Sequence, residues 1–189
     1  IKIDTSGLKK GTLKWKNKKY VGQMKDGLPH GKGIIYTYDD NGNIIKKEEG
    51  FFKYGKPVGK IKVTKYDKNG KTKSTYYGKI KDGKYHGKGT LITFDKNGKV
   101  KSKYTGEFHK GKYSGKGKLT NYYANGKIKS QYSGKFKNGK YYGEGDLSTY
   151  YISGELRENY KGTFKNGIYS GNGSLKKYYK NGKLKSQYV

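Results

Sequence analysis

The sequence predicts an all-β chain, an elongated single-layer antiparallel meander of stacked β-hairpins. Three observations carry this: glycines recurring every 28 residues, two turn-forming dipeptides in each period, and large side chains alternating with none between them. Gly22, Gly50, Gly78, Gly106, Gly134 and Gly162 mark the period. The series from Gly31 to Gly171 and from Gly42 to Gly182 keep the same spacing. Six units without an insertion define a stacked array. Residues 1–19 read as a shortened N-terminal capping unit, with Gly11-Thr12-Leu13 echoing Gly89-Thr90-Leu91. Residues 20–189 read as one continuous domain of tandem repeats.

The first turn signal is Asn-Gly at Asn41-Gly42, Asn69-Gly70, Asn97-Gly98, Asn125-Gly126 and Asn181-Gly182, with Ser153-Gly154 as its variant. The second is Asp26-Gly27, Asp82-Gly83, Asn138-Gly139 and Asn166-Gly167. Both suit two-residue type I′ turns, which need positive φ at both central residues. A turn at Asn125-Gly126 sets Ala124 opposite Lys127, Leu119 opposite Tyr132, Gly117 opposite Gly134 and Gly115 opposite Phe136. A turn at Asn138-Gly139 sets Phe136 opposite Tyr141, Gly134 opposite Gly143, Tyr132 opposite Gly145 and Ser130 opposite Leu147. Both select one apolar face, on which rings lie over the bare backbone of neighbouring glycines. In one unit Glu48 replaces the ring and Ile61 the glycine, and the same register makes them partners. The structural positions are therefore Tyr104, Phe108, Tyr132, Phe136, Tyr160 and Phe164, with Gly106, Gly115, Gly117, Gly134, Gly143 and Gly145.

Lys116, Lys118, Lys127, Lys129, Lys135 and Lys137 are left for the other face, a comb of cations. At about 4.8 Å per strand, six two-stranded units would extend roughly 60 Å. Composition agrees with a thin architecture. Apolar residues make up 30% of the chain, and 22 Tyr and 6 Phe stand in for missing aliphatic side chains. The formal charge of +30 favours polyanions and anionic membrane surfaces. Lysine supplies every basic residue except Arg157, so AT-rich coding bias is the competing explanation. The absence of cysteine excludes disulfides and thiol chemistry. No apolar run is long enough to span a bilayer as a helix. The start at Ile1 suggests a trimmed product, and an exported or cell-surface bacterial protein is expected ahead of a cytoplasmic one.

The pattern Tyr-x-Gly-x-Phe-x-x-Gly-x-x-x-Gly-x-Gly at Tyr104 to Gly117, Tyr132 to Gly145 and Tyr160 to Gly173 resembles the MORN repeat. So does His-Gly-x-Gly at His30 to Gly33 and His86 to Gly89. The resemblance runs over residues 6 to 189. The unit here is about five residues longer than the common one, as in variant repeats of bacterial proteins. It implies stacked hairpins that act as scaffolds, dimerisation modules or membrane-proximal tethers, with no reaction and no cofactor.

Chemistry-bearing residues are few. His30, His86 and His109 are too dispersed for a catalytic network and read as turn residues of the repeat. Asp39-Asp40-Asn41-Gly42-Asn43 begins like a calcium loop but lacks the distal Glu and coincides with a hairpin turn. Glu48-Glu49 reads as a break in the array. Neither enzyme activity nor a metal site is expected. The binding candidate is a set of rings and cations, Lys116, Lys118, Tyr122, Lys129, Lys135, Tyr150, Arg157, Tyr178 and Lys185. Its register sets Tyr122 opposite Lys129, Tyr150 opposite Arg157 and Tyr178 opposite Lys185. Such alternation suits nucleic acid, an anionic glycan or lipid head groups. The simpler reading is that each ring covers its neighbour's aliphatic stem. The leading functional expectation is a noncatalytic scaffold for a protein partner or a larger assembly, with homo-oligomerisation as one form of it. Binding of anionic surfaces and neutralisation of a toxin are the alternatives.

Overall fold

A computed structural model describes residues 6–189 and, among them, contains strands and turns but no helix. Part of the expected N-terminal cap, residues 1–5, lies outside the described residues. The chain divides into two compact units, residues 1–83 and 84–189. The first holds β1 (Lys9–Lys14), β2 (Lys18–Lys25), β3 (Leu28–Tyr38), β4 (Ile44–Lys53), β5 (Lys56–Tyr66) and β6 (Thr72–Lys81). The second holds β7 (Lys84–Phe94), β8 (Val100–His109), β9 (Lys112–Tyr122), β10 (Ile128–Lys137), β11 (Lys140–Tyr150), β12 (Leu156–Lys165), β13 (Ile168–Tyr178) and β14 (Leu184–Tyr188). Within each unit every strand pairs antiparallel with its chain neighbours, so the fold is the expected hairpin meander.

The two turn signals build different turns. Asn138 (φ 51°) and Gly139 (φ 81°) both have positive φ, as a type I′ turn requires. Tyr54-Gly55 and Lys110-Gly111 adopt the same conformation, although neither dipeptide is a usual I′ pair. At Asn125-Gly126 only the glycine has positive φ. There Gly126 N donates to Tyr123 O and Tyr123 N donates to Lys127 O, which closes a three-residue loop. Ala124 therefore does not face Lys127. A bulge at Lys129 then removes the one-residue offset. Leu119 opposite Tyr132, Gly117 opposite Gly134 and Gly115 opposite Phe136 hold as expected, because the two departures cancel.

The second hairpin departs further from its turn. Phe136 faces Tyr141 as expected, but the strand shifts by two residues after Lys135. Gly134 consequently faces Gly145 rather than Gly143, Tyr132 faces Leu147 rather than Gly145, and Ser130 faces Thr149 rather than Leu147. The same irregularity sets Glu48 opposite Val63 instead of Ile61. A shift of two changes partners while preserving faces, so the apolar side remains apolar.

Candidate interaction surface

One face of the second unit is committed to the fold. Tyr104, Phe108, Tyr132, Phe136, Tyr160 and Phe164 are each 5% exposed or less. Tyr132 stacks on Tyr141 at 3.9 Å and meets Phe136 and Phe164 edge-on at 5.0 and 5.2 Å. The triplet repeats one unit earlier with Tyr104, Tyr113 and Phe136, giving a continuous ladder. Such ring pairs contribute about 0.5–1.5 kcal/mol each beyond buried area. Glycine makes the stacking physically feasible. A methyl group added at Gly145 would lie 2.5 Å from Tyr132 Cε2, and one added at Gly117 would lie 2.6 Å from Tyr104 Cε2. The ring thus lies over the glycine diagonally, although its registered partner is leucine. Gly106 and Gly134 are closed by the facing backbone of Gly117 and Gly145, and Gly115 and Gly143 carry the positive φ of the irregularity.

The tyrosine hydroxyls add a feature the sequence reading missed. Tyr20, Tyr76, Tyr104, Tyr132 and Tyr160 each donate to the backbone carbonyl three residues on. For Tyr104 and Tyr132 that carbonyl, of Glu107 or Lys135, stands where the ladder slips. Phenylalanine fits the same space without this bond, so the recurrence of Tyr was the available signal. Burial pushes the Tyr132 phenol up to about 12 and raises that of Tyr104 further.

The opposite face carries Lys116, Lys118 and Lys135 as expected, whereas Lys129, Arg157 and Lys185 are the unpaired residues of the bulges. Lys116, Lys118, Lys129, Lys135, Arg157 and Lys185 are exposed, whereas Tyr122, Tyr150 and Tyr178 are half-buried. Their pairing differs from expectation. Tyr122, Tyr150 and Tyr178 face Ile128, Leu156 and Leu184, because the three-residue loop displaces the strand by one before the bulge restores it. The cations approach the next tyrosine instead. Lys129 Nζ lies 5.9 Å from the Tyr123 ring, the Arg157 guanidinium 5.9 Å from Tyr151 and Lys185 Nζ 5.6 Å from Tyr179. These rings also tie repeats together, since Tyr123 Oη donates to Tyr150 O and Tyr151 Oη to Tyr178 O, each at 2.7 Å. The cation comb is interrupted too. Lys118 lies between Thr105 and Ser133, and Asp146 between Ser133 and Lys161, the latter an ion pair at 3.6 Å.

In the first unit the corresponding face is different. Val21 faces Ile34, Ile34 faces Glu49, Glu49 faces Lys62 and Lys62 faces Tyr77. Beside this row Phe51 faces Lys32 and Val58. Val21, Phe51 and Tyr77 are 38%, 44% and 56% exposed. At the repeat positions of Val21 and Tyr77 the second unit has Thr105, Ser133 and Lys161. Where the first has Ile34 and Phe51, the second has Thr90, Lys118, Asp146 and Ser174, and Glu107, Lys135 and Thr163. A comparison of each repeat position with its equivalents finds this patch.

The remaining chemistry is structural. Asp39 accepts from Asn41 N and Asn43 N through Oδ1. The backbone and side chain of Asn43 lead in holding its carboxyl below the ordinary value. Glu48 and Glu49 lie near Lys46 and Lys47 at 3.8 and 3.1 Å. His30 is buried against Tyr54. His86 and His109 are less dispersed than expected, with ring centroids 5.8 Å apart, because the β7–β8 register brings them side by side. Among the described residues no three His, Cys, Asp or Glu side chains are grouped to hold a metal. No helix there is long and apolar enough to cross a membrane.

Stacked hairpins with one aromatic face and one polar face define a β-hairpin repeat protein. The MORN repeat matches residues 20–42, 76–97, 104–121 and 160–178, and a MORN repeat variant matches 88–107, 116–136 and 171–189. These spans cover more than half of the sequence, and the chain belongs to the MORN repeat family. MORN repeats are generally protein- or membrane-binding modules and typically noncatalytic. Comparison with curated proteins finds no match.

Proposed function

We propose that this chain is a noncatalytic scaffold that holds a protein partner on the face opposite its aromatic ladder. The carrying observation is the division of labour between faces. Rings and glycines are consumed in packing on one side, while Lys116, Lys118 and Lys135 point outward on the other. Even if all 14 acidic residues were paired, thirty basic side chains would still lack an acidic counterpart in the chain. An acidic protein complements such a surface and is steered to it. Sizing and pull-down with the purified chain test the reading. Salt-sensitive complexes with acidic proteins are expected, and the absence of both self-association and any protein complex would overturn it.

The exposed cations beside Tyr123, Tyr151 and Tyr179 favour a second reading, a module for anionic lipid, glycan or nucleic acid. Binding to phosphatidylserine vesicles or to a single-stranded oligonucleotide should then fall steeply as salt rises. Reversing Lys116, Lys118, Lys129 and Lys135 together should abolish it while the sheet stays folded. No binding at low salt would end this reading.

A further inference from the structure

Repeat proteins provide an internal control, because every solvent-facing position occurs several times and the fold tolerates what each copy carries. On the face opposite the ladder, threonine suffices at each of the three repeat positions in question. Thr105 stands where the first unit has Val21 and Tyr77, Thr90 where it has Ile34, and Thr163 where it has Phe51. Hairpin folding therefore does not demand apolar side chains there, yet Val21, Phe51 and Tyr77 are all more than a third exposed. The register makes Val21, Ile34 and Phe51 neighbours and sets Tyr77 at the edge of the patch, beyond Glu49 and Lys62. Val21 and Ile34 are directly opposed, and Phe51 lies one face position along, opposite Val58. A depression of ≈ 590 Å³ lined by Lys10, Thr12, Val21, Gln23 and Lys32 adjoins the patch.

From this we infer that the first unit carries a docking site for an acidic polypeptide segment bearing apolar side chains. The inference rests on the scaffold reading above and names the surface and the chemistry of the occupant. Charge complementarity selects that occupant. Lys32 faces Phe51, Lys62 separates Glu49 from Tyr77, and Lys60 Nζ lies 5.8 Å from the Tyr77 ring. The acid within the patch, Glu49, is engaged by Lys47 at 3.1 Å, whose own pKa that contact raises. An apolar centre rimmed by cations has the anatomy of a protein interface. Carboxylates on the partner meet the rim, and its apolar side chains cover Ile34 and Phe51.

Two synthetic peptides of equal length and net charge test it with the whole chain. One intersperses Glu with Leu and Phe, and the other intersperses Glu with Ser. The apolar peptide should bind at least tenfold tighter by fluorescence anisotropy. The joint variant Val21→Thr, Ile34→Thr, Phe51→Thr, Tyr77→Thr should erase that preference while keeping the salt-sensitive affinity both peptides share. Threonine at equivalent positions keeps the variant foldable, and circular dichroism verifies it. Equal binding of both peptides, or a preference that survives in the folded variant, overturns the docking site alone. Absence of binding by either peptide at low salt overturns the scaffold reading with it. Self-association abolished by the same variant would assign the patch to a second copy of the chain, and vesicle binding abolished by it would assign it to a lipid surface. Either outcome overturns the acidic segment.

Discussion

The two compact units solve the same packing problem with different side chains. In the second, positions 104, 132 and 160 are Tyr, their diagonal partners 117, 145 and 173 are Gly, and stacking rings at 113, 141 and 169 complete the ladder. In the first, Tyr20 and Gly33 keep the pair, but the next repeat has Glu48 and Ile61, while Pro29 and Pro57 replace the stacking tyrosines. Ile61 and Val63 are each 1% exposed, so aliphatic branches fill the volume a ring leaves empty. A methyl group at Gly50 would lie 2.7 Å from Ile61 Cγ2, at the repeat position where one added at Gly134 would lie 2.6 Å from the Tyr132 hydroxyl. Glycine and tyrosine are thus one coupled choice, and departure at one requires departure at the other.

The largest test of this difference removes a ring. Tyr132→Ala should destabilise the chain by about 3–5 kcal/mol, since it opens a cavity flanked by Tyr141, Phe136 and Phe164. A denaturant melt followed by aromatic circular dichroism reads it. Overpacking comes next. Gly145→Ala should cost about 1–3 kcal/mol, because the ring it meets is clamped by Tyr141 and Phe164. Gly50→Ala should cost less, as it meets one Ile61 atom, Cγ2, under 3.0 Å where Gly145→Ala meets three atoms of the Tyr132 ring and hydroxyl.

Coupling can then be measured directly in the first unit. Glu48→Tyr alone puts a ring where Ile61 already sits, and Ile61→Gly alone leaves a void. The double variant regenerates the Tyr20 and Gly33 arrangement. A double-mutant cycle should return a favourable coupling of about 0.5–3 kcal/mol. Additive effects would show that ring and glycine are independent.

The period, the turn positions and the faces were legible because they depend on glycine and on parity, whereas the two-residue form expected at Asn125-Gly126 was not. Partners were not, because they depend on how many residues each irregularity holds. Around Asn125-Gly126 the extra loop residue and the bulge at Lys129 cancel, so Leu119 and Tyr132 pair as expected and only the residues between the two features are displaced. Tyr122 and Lys129 lie in that interval, which is why the anticipated ring and cation pairs do not form. Beyond Lys135 the shift of two misplaces Gly145 by register yet leaves it beneath the Tyr132 ring. The patch around Phe51 was hidden for another reason. A search for what recurs passes over side chains that matter by not recurring.

The smallest effect isolates the hydroxyl. Tyr132→Phe keeps the ring and its stacking but loses the bond to Lys135 O at 2.7 Å, a cost of about 0.5–1.5 kcal/mol at neutral pH. Its pH dependence separates this loss from simple packing. Burial raises the folded phenol from 10.0 to about 12, so the unfolded chain ionises first. Above pH 10 the folded state holds more protons than the unfolded one, and the stability linked to the neutral phenol falls as pH approaches 12. The Phe variant has nothing to ionise at this position, while deprotonation of the lysines acts on both proteins alike. The stability gap between wild type and Tyr132→Phe should therefore be constant below pH 10 and narrow between pH 10 and 12. Denaturant midpoints across that range measure it, and a gap that stays constant would show that the phenol ionises equally readily in the folded and unfolded chains.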